Sequence, residues 1–137
     1  IDNVNLNTGM FGRWSLIEAN PMVIFDSAHN ESGFESIAHQ ISKTSFNQIY
    51  ILLSFVKGKN IKQLISKLPE ESKIYFTSLK NRRAMQLEEI KLNLSKNITF
   101  DEDPKMIFNK IKAEASKEDL ILITGSNYIA KEIFNEN

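Results

Sequence analysis

The 137-residue sequence predicts an α/β fold in which a mostly parallel sheet is covered by helices on both faces. Two observations carry this prediction. Segments rich in β-branched and aromatic residues alternate about five times with segments of helical apolar spacing, at the length of right-handed crossover units. In addition, the segments IYILL and LILI are continuously apolar, which is typical of strands buried on both faces of a sheet.

The first half of the chain begins with an Asn-rich segment without periodicity, IDNVNLNTGM, which predicts a linker or a frayed end. RWSLIEA and MVIFD follow, and because the dipeptide Asn20-Pro21 between them favours a turn, they predict an antiparallel hairpin. A helix is expected from Glu31 to Lys43, then the strand IYILLSF, then a helix from Lys59 to Leu68. Apolar residues share one face of each helix: Phe34, Ile37, Ala38 and Ile41 in the first, and Ile61, Leu64, Ile65 and Leu68 in the second.

The second half repeats the rhythm with the strand KIYFTSL, a helix from Leu87 to Leu94 and the short strand ITFDED. Pro104 then stands where the first turn of a helix tolerates proline. The strand DLILITG and a helix from Asn127 to Phe134 complete the chain. Because the opening hairpin adds an antiparallel edge strand, we expect a Rossmann-like, three-layer domain with a mostly parallel sheet of about six strands.

The amino-acid composition argues against several classes of function. Lys plus Arg and Asp plus Glu number 17 each, so the net charge of zero removes the usual electrostatic argument for nucleic acid or an acidic membrane surface. With no cysteine and two well-separated histidines, neither a disulfide framework nor a structural zinc site is expected. No segment resembles a membrane span or a signal peptide, so we expect a cytoplasmic protein. The first residue is Ile rather than Met, and we expect a piece of a longer or trimmed chain.

Polar residues are concentrated at the predicted carboxyl ends of the strands, where ligands bind in open parallel sheets. These strand ends fall at residues 26–30, 54–59, 77–83, 101–103 and 125–127. Polar residues also make turns and cap helices in any such fold. The pattern alone is therefore as consistent with turn chemistry as with a ligand site.

Individual residues at these ends each have a binding and a structural interpretation. Asp26 could accept hydrogen bonds from a ribose, an amine or loop amides, and His29 could orient a carboxylate or amine or shuttle a proton. Asn30 is suited to cap a helix. Arg13 could contact a phosphate or carboxylate, or be an ordinary surface residue. The segment GSN around Ser126 combines a hydroxyl with helix-start amides, which suits either an anion or a helix cap.

Two nucleotide-binding motifs are missing from the chain. There is no G-x-x-x-x-G-K-[ST] phosphate loop, and KGKN at residues 57–60 is too short to serve as one. No Gly-rich dinucleotide fingerprint follows a strand, which weighs against a nicotinamide enzyme.

Four short motifs occur in a distinctive order: GRW before the hairpin, DSAHN at the end of its second strand, RRA after the third parallel strand and TGSNY after the last. In this order they resemble the C-terminal domain of folylpolyglutamate synthase / dihydrofolate synthase, in the Mur ligase superfamily. The resemblance implies that residues 1–10 are a linker remnant from a preceding central ATPase domain and that residues 11–137 are a Mur-ligase-type C-terminal domain. This chain departs from the family pattern in two places: Glu31 replaces a frequent proline, and KGKN replaces a loop that is commonly acidic with lysine.

The resemblance implies an ATP-dependent ligase that phosphorylates a carboxylate on a pteroate or folate, after which the amine of L-glutamate attacks the acyl phosphate. In this family the phosphate loop and magnesium ligands lie in the covalently linked central domain. ATP and Mg²⁺ would thus be bound mainly there, no metal site is expected in this domain, and the isolated domain is expected to be inactive. The implied partners are ATP, L-glutamate and the folate or pteroate substrate. We expect a monomer without nucleic-acid or membrane partners.

The same resemblance implies roles for particular residues. Arg13 would contact the ATP phosphates and Asp26 the nucleoside. His29 would face the incoming glutamate, either positioning its carboxylate or assisting deprotonation of its amine, so Asp26 and His29 are the implied catalytic residues. Ser126 matches a serine near the glutamate site. The motif positions of unknown role are Asn30 and Arg83.

Three alternatives remain. The first is the C-terminal domain of a peptidoglycan-precursor Mur ligase, which has the same topology. The second is a free-standing, non-catalytic interaction domain such as a receiver-like signalling domain. A receiver-like domain needs clustered acidic residues at the end of its first parallel strand and another acidic residue after its third. Here Asp26 has no acidic neighbour, and the third parallel strand ends in Thr77. The third is a degenerate domain that keeps the fold for stability or docking.

Overall fold

The computed structural model describes residues 12–80, 83–94 and 99–134. The predicted linker at residues 1–10, Phe11, Arg82 of the RRA motif and Ile98 of the short strand lie outside the described residues. The elements within the described ranges are β1 (Ser15–Ala19), β2 (Met22–Phe25), α1 (Glu31–Ser42), β3 (Ile49–Leu53), α2 (Ile61–Ile65), β4 (Lys73–Thr77), α3 (Leu87–Asn93), β5 (Thr99–Asp101), α4 (Pro104–Glu114), β6 (Leu120–Thr124) and α5 (Tyr128–Phe134). In this part of the chain, no helix has the length and apolar character needed to cross a membrane.

The six strands form one sheet in the order β1-β2-β6-β3-β4-β5. β1 pairs with β2 in antiparallel orientation, and the other neighbouring pairs are parallel. In the centre of the sheet, Leu122 of β6 is in register with Ile24 of β2 and Ile51 of β3. The predicted α/β fold, with a mostly parallel sheet and an antiparallel hairpin strand at one edge, is confirmed.

Apolar side chains of the strands divide between two cores, one on each face of the sheet. Ile51 and Leu122 face the core that α1, α2 and α3 cover, whereas Leu52 and Ile123 face the core under α4 and α5. Every residue of β3 and β6 is buried, as their continuous apolar sequences predicted. The domain is therefore three-layered, and its loops and helix ends are left to form the two rims of the sheet.

The second helix is shorter than the predicted segment from Lys59 to Leu68. Asn60 begins it, because its side chain accepts a hydrogen bond from the Gln63 N–H at 3.2 Å. After Ile65 the backbone tightens: the N–H groups of residues 67 and 68 donate to carbonyls three residues earlier, as in a 3₁₀ turn. Pro69 follows at once and disfavours helix in the residue before it. The other predicted elements are present, with small shifts at their ends.

Candidate functional site

The carboxyl ends of the parallel strands form one rim of the sheet, here called the carboxyl edge. β2 and β6 are neighbours in it, yet the helices that follow them, α1 and α5, cover opposite faces. The chain segments that leave β2 and β6 therefore run to opposite faces of the sheet. Such a switch point is where ligands bind in open α/β folds.

Three loops at the carboxyl edge are tied together around Gly125, directly after β6. Its N–H donates to the Ala28 carbonyl at 3.0 Å, and the Thr124 hydroxyl donates to the same oxygen at 3.4 Å. On the other side, the Ser54 N–H donates to the Thr124 carbonyl at 3.3 Å. Gly125 has a φ of +104°, and a Cβ on it would lie 2.5 Å from the Ser54 carbonyl oxygen. Only glycine fits between these loops without a backbone shift.

Asp26 uses both carboxylate oxygens to organise the backbone around it. Oδ2 accepts a hydrogen bond from the Trp14 N–H at 3.0 Å, and Oδ1 accepts one from the Ala28 N–H at 2.9 Å. Each oxygen keeps a second lone pair, so a further donor can still bind. Burial raises the pKa of the Asp26 carboxyl above its ordinary value, while the two N–H groups and the charge of Arg13 act in the opposite direction.

The other predicted residues of the DSAHN motif lie at the start of α1. His29 is exposed, and its Nδ1 lies 3.2 Å from the Ser27 carbonyl oxygen. The tautomer with its proton on Nδ1 would donate to that carbonyl and turn Nε2 into an acceptor. Asn30 caps α1, since its Oδ1 accepts a hydrogen bond from the Gly33 N–H at 2.9 Å. Its predicted capping role is confirmed.

Ser126 joins this group from the neighbouring strand. It is only 3% exposed, and its Oγ accepts a hydrogen bond at 3.0 Å from the N–H of Tyr128, the first residue of α5. The hydroxyl proton is not used in that bond and can still be donated. The structure thus supports the predicted helix-capping role of Ser126. Its hydroxyl hydrogen is still available for donation to a ligand.

Arg13 and Arg83 lie at different places on the carboxyl edge. Arg13 is exposed in the turn before β1, beside Asp26. Arg83 follows β4, and its carbonyl accepts a hydrogen bond from the Lys57 N–H at 2.6 Å. Because β3 lies between β4 and β6, the Arg83 loop starts two strands, roughly 10 Å, from the Ser126 loop. Five of the predicted site residues therefore lie in the loops next to β2 and β6: Arg13, Asp26, His29, Asn30 and Ser126. Arg83 lies with the loop after β3.

Buried hydroxyl groups accumulate beneath this edge, which the sequence patterns did not predict. Of the six buried polar or charged residues among those described, five lie at or just after the ends of β3, β4 and β6: Ser54, Thr77, Ser78, Thr124 and Ser126. Ser54 is 1% exposed, and its Oγ has no hydrogen-bond partner among the described residues. A serine directly after an apolar strand was the one available signal, and such residues are usually turn formers.

The rest of the described structure offers fewer groups that could bind a ligand or a metal ion. No three His, Cys, Asp or Glu side chains of the described residues are grouped so that they could hold a metal ion. Two surface grooves lie near the end of α2 and share Leu68 and Pro69 in their linings. One groove also contains Ile41 and Ser42, which end α1, so it lies far along that helix from His29.

The fold is that of an α/β domain, and polar loop residues lie at the switch point of its sheet, where such folds bind ligands. The chain belongs to the family described as Mur ligase, glutamate ligase domain, which matches residues 12–127. It is 30% identical over 125 residues to the dihydrofolate synthase/folylpolyglutamate synthase of Bacillus subtilis (strain 168), covering 89% of this chain and 29% of that protein. The chain therefore spans less than a third of the length of this relative.

Solved structures share the fold. A Mycobacterium tuberculosis folylpolyglutamate synthase complexed with ADP has a TM-score of 0.80 at 20% identity, covering 93% of this chain and 33% of that one. A bifunctional folylpolyglutamate synthase/dihydrofolate synthase with Mn, AMPPNP and L-glutamate bound has a TM-score of 0.78 at 18% identity, covering 86% and 29%. The predicted family resemblance is confirmed by these comparisons.

Replacing Gly125 should test the junction of the three loops. Gly58 is a matched control, because its φ is +90° but no atom lies within 4 Å of an added Cβ. We expect Gly58→Ala to lower the free energy of unfolding by about 1–2 kcal/mol, the usual cost of left-handed backbone. Gly125→Ala adds a backbone clash and should cost clearly more. Urea unfolding measures both, and equal losses would contradict the close packing at Gly125.

The stability of the domain should depend on Asp26 in a defined pH direction. Because folding raises the pKa of this carboxyl above 3.8, the folded state binds more protons than the unfolded state between the two pKa values. The contribution of Asp26 to stability therefore falls as pH rises through that window. In urea unfolding from about pH 3 to pH 6, wild type should lose stability relative to Asp26→Asn. A gain would contradict the direction of the pKa shift.

Proposed function

We propose that this chain is the glutamate ligase domain of an ATP-dependent ligase that adds L-glutamate to dihydropteroate or folates. The observation that carries the proposal is the meeting of the Asp26–Asn30 loop with Ser126 at the carboxyl edge. The family match supports the reaction class, and the Bacillus subtilis relative supports the folate substrate.

The proposed reaction has two steps. A carboxylate oxygen of the folate or pteroate attacks the γ-phosphorus of ATP, which releases ADP and leaves an acyl phosphate. The neutral amine of glutamate then attacks the acyl carbon, inorganic phosphate leaves with the bonding electrons, and the nitrogen gives up a proton. Both steps require in-line positioning and exclusion of water from the acyl phosphate.

Arg13 and Asp26 would serve the nucleotide. Arg13 is exposed, and its planar guanidinium has the donor geometry that suits phosphate oxygens. Asp26 already accepts hydrogen bonds from two backbone N–H groups, and its remaining lone pairs could accept another from a hydroxyl of the nucleoside. Asp26 holds the N–H of Trp14, the residue that follows Arg13, so one nucleotide could reach both residues.

His29 and Ser126 would serve the glutamate. The Ser126 hydroxyl can donate its proton to a carboxylate while its oxygen accepts from the Tyr128 N–H. His29 is exposed beside this position and can either position the substrate carboxylate or take the proton that the amine must lose. The first role predicts a raised KM for glutamate when His29 is lost, and the second predicts a lowered kcat.

The remaining parts of the machinery would lie in a preceding central domain of the full-length protein. We propose that this domain carries the phosphate loop and holds most of the contacts to ATP and Mg²⁺. When bound, Mg²⁺ would neutralise charge on the phosphates. The described chain would then act as the closing face that brings glutamate to the acyl phosphate, and alone it would be inactive. We expect the enzyme to act in the cytoplasm, where ATP is available.

A second candidate is the corresponding domain of a peptidoglycan-precursor ligase, because the family match covers Mur ligases as well. The acceptor distinguishes the two candidates. Glutamate transfer to dihydropteroate or folate supports the first, and transfer only to a peptidoglycan precursor supports the second.

The two histidines provide a matched pair for testing the site. His29 lies at the carboxyl edge, whereas His39 is exposed on α1. In the full-length ligase, His29→Ala should lower glutamate addition about ten-fold or more, as expected for loss of a positioned polar or acid–base group. His39→Ala should leave the rate unchanged. Steady-state kinetics with folate, ATP and glutamate checks this, and wild-type rates in His29→Ala would return that residue to a structural role.

A further inference from the structure

The turn that carries Arg13 has an unusual backbone. We call residues 12–14 the arginine turn. Gly12 has a φ of +109° and Trp14 a φ of +45°, both in the left-handed region. A bulky residue rarely adopts that conformation, and it persists only where neighbouring groups hold it.

Asp26 and Ser27 hold the arginine turn on both sides of Arg13. On one side, Asp26 Oδ2 accepts the Trp14 N–H at 3.0 Å. On the other side, the Gly12 carbonyl accepts two hydrogen bonds from Ser27, one from its N–H at 2.7 Å and one from its Oγ at 3.0 Å. The two residues flanking Arg13 are therefore fixed to the loop that follows β2, whereas the Arg13 side chain is exposed.

We infer that Ser27 is a positioning residue for Arg13, and that it works together with Asp26. This inference rests on the proposed function, in which Arg13 contacts the phosphates of ATP. A backbone fixed on both sides sets the position of the Arg13 Cα and the direction in which its side chain leaves the turn, so less backbone freedom is lost when the phosphates bind. Ser27 itself is assigned no contact with substrate.

The geometry separates this role from general stability. Removing the Ser27 hydroxyl leaves its N–H bond to Gly12 and both Asp26 bonds in place, so Ser27→Ala should fold with a looser arginine turn. A Cβ on Gly12 would lie 3.3 Å from Ser27 Oγ, which shows how closely the two segments approach. Ser27→Thr keeps a hydroxyl at the same position and is the conservative variant.

The test uses the full-length ligase and a double-mutant cycle between Ser27→Ala and Arg13→Ala. Ser27→Ala should raise the KM for ATP about 3- to 10-fold with a smaller change in the KM for glutamate. The increase should vanish when Arg13 is already alanine, because positioning acts only through that side chain. Ser27→Thr should restore the KM for ATP. Ser36→Ala, an exposed serine on α1, should have no effect.

The possible contradictions are distinct. An unchanged KM for ATP in Ser27→Ala, or an equal increase with and without Arg13, would overturn the positioning role while leaving the ligase proposal intact. A KM for ATP that is unaffected by Arg13→Ala would overturn the proposed role of Arg13 and the inference, but not the proposed reaction. A full-length protein without ATP-dependent glutamate addition would overturn the proposed function and the inference with it. If Ser27→Ala fails to fold, a raised KM in Ser27→Thr would also count against the inference.

Discussion

The packing of Gly125 against two neighbouring loops is the constraint on which the candidate site depends. Its N–H donates a hydrogen bond to the Ala28 carbonyl, and because glycine has no Cβ, the Ser54 carbonyl can approach closely. These contacts bring the loops after β2, β6 and β3 together at the switch point of the sheet. The position of His29 relative to Ser126 follows from this junction, because each lies one residue beyond a residue that forms it.

Hydrogen bonds from backbone N–H groups organise the carboxyl edge. Asp26, Asn30 and Ser126 each accept from an N–H group within the loops or helix starts. The result is a set of fixed loops from which Arg13 and His29 extend as exposed side chains.

The fold was predictable because its signals are local. Continuous apolar segments mark β3 and β6, and helical spacing marks α1 and α2, so the layers follow without long-range information. The end of α2 was less predictable, since its last turn tightens before Pro69 while the apolar spacing continues to Leu68. Periodicity reports which face is buried and does not report the hydrogen-bond pattern of a final turn.

The sequence predicted which residues lie at the carboxyl edge but not the contacts they make, and their roles in binding or catalysis stay predictions. The order of the motifs identified Asp26 and His29, and the structure places them together with Ser126. Ser27 was missed, because its partner Gly12 is 15 residues away and the contact depends on the hairpin folding back. The capping role of Asn30, by contrast, was predictable, because an Asn directly before a helical segment is a local signal.

A crystal structure of the full-length protein with a non-hydrolysable ATP analogue, a divalent metal ion and L-glutamate would show whether the carboxyl edge binds both ligands. We predict nucleotide phosphates within hydrogen-bond distance of Arg13, and glutamate against His29 and Ser126. A complex in which both ligands bind elsewhere, with the carboxyl edge of this domain facing solvent, would contradict this prediction.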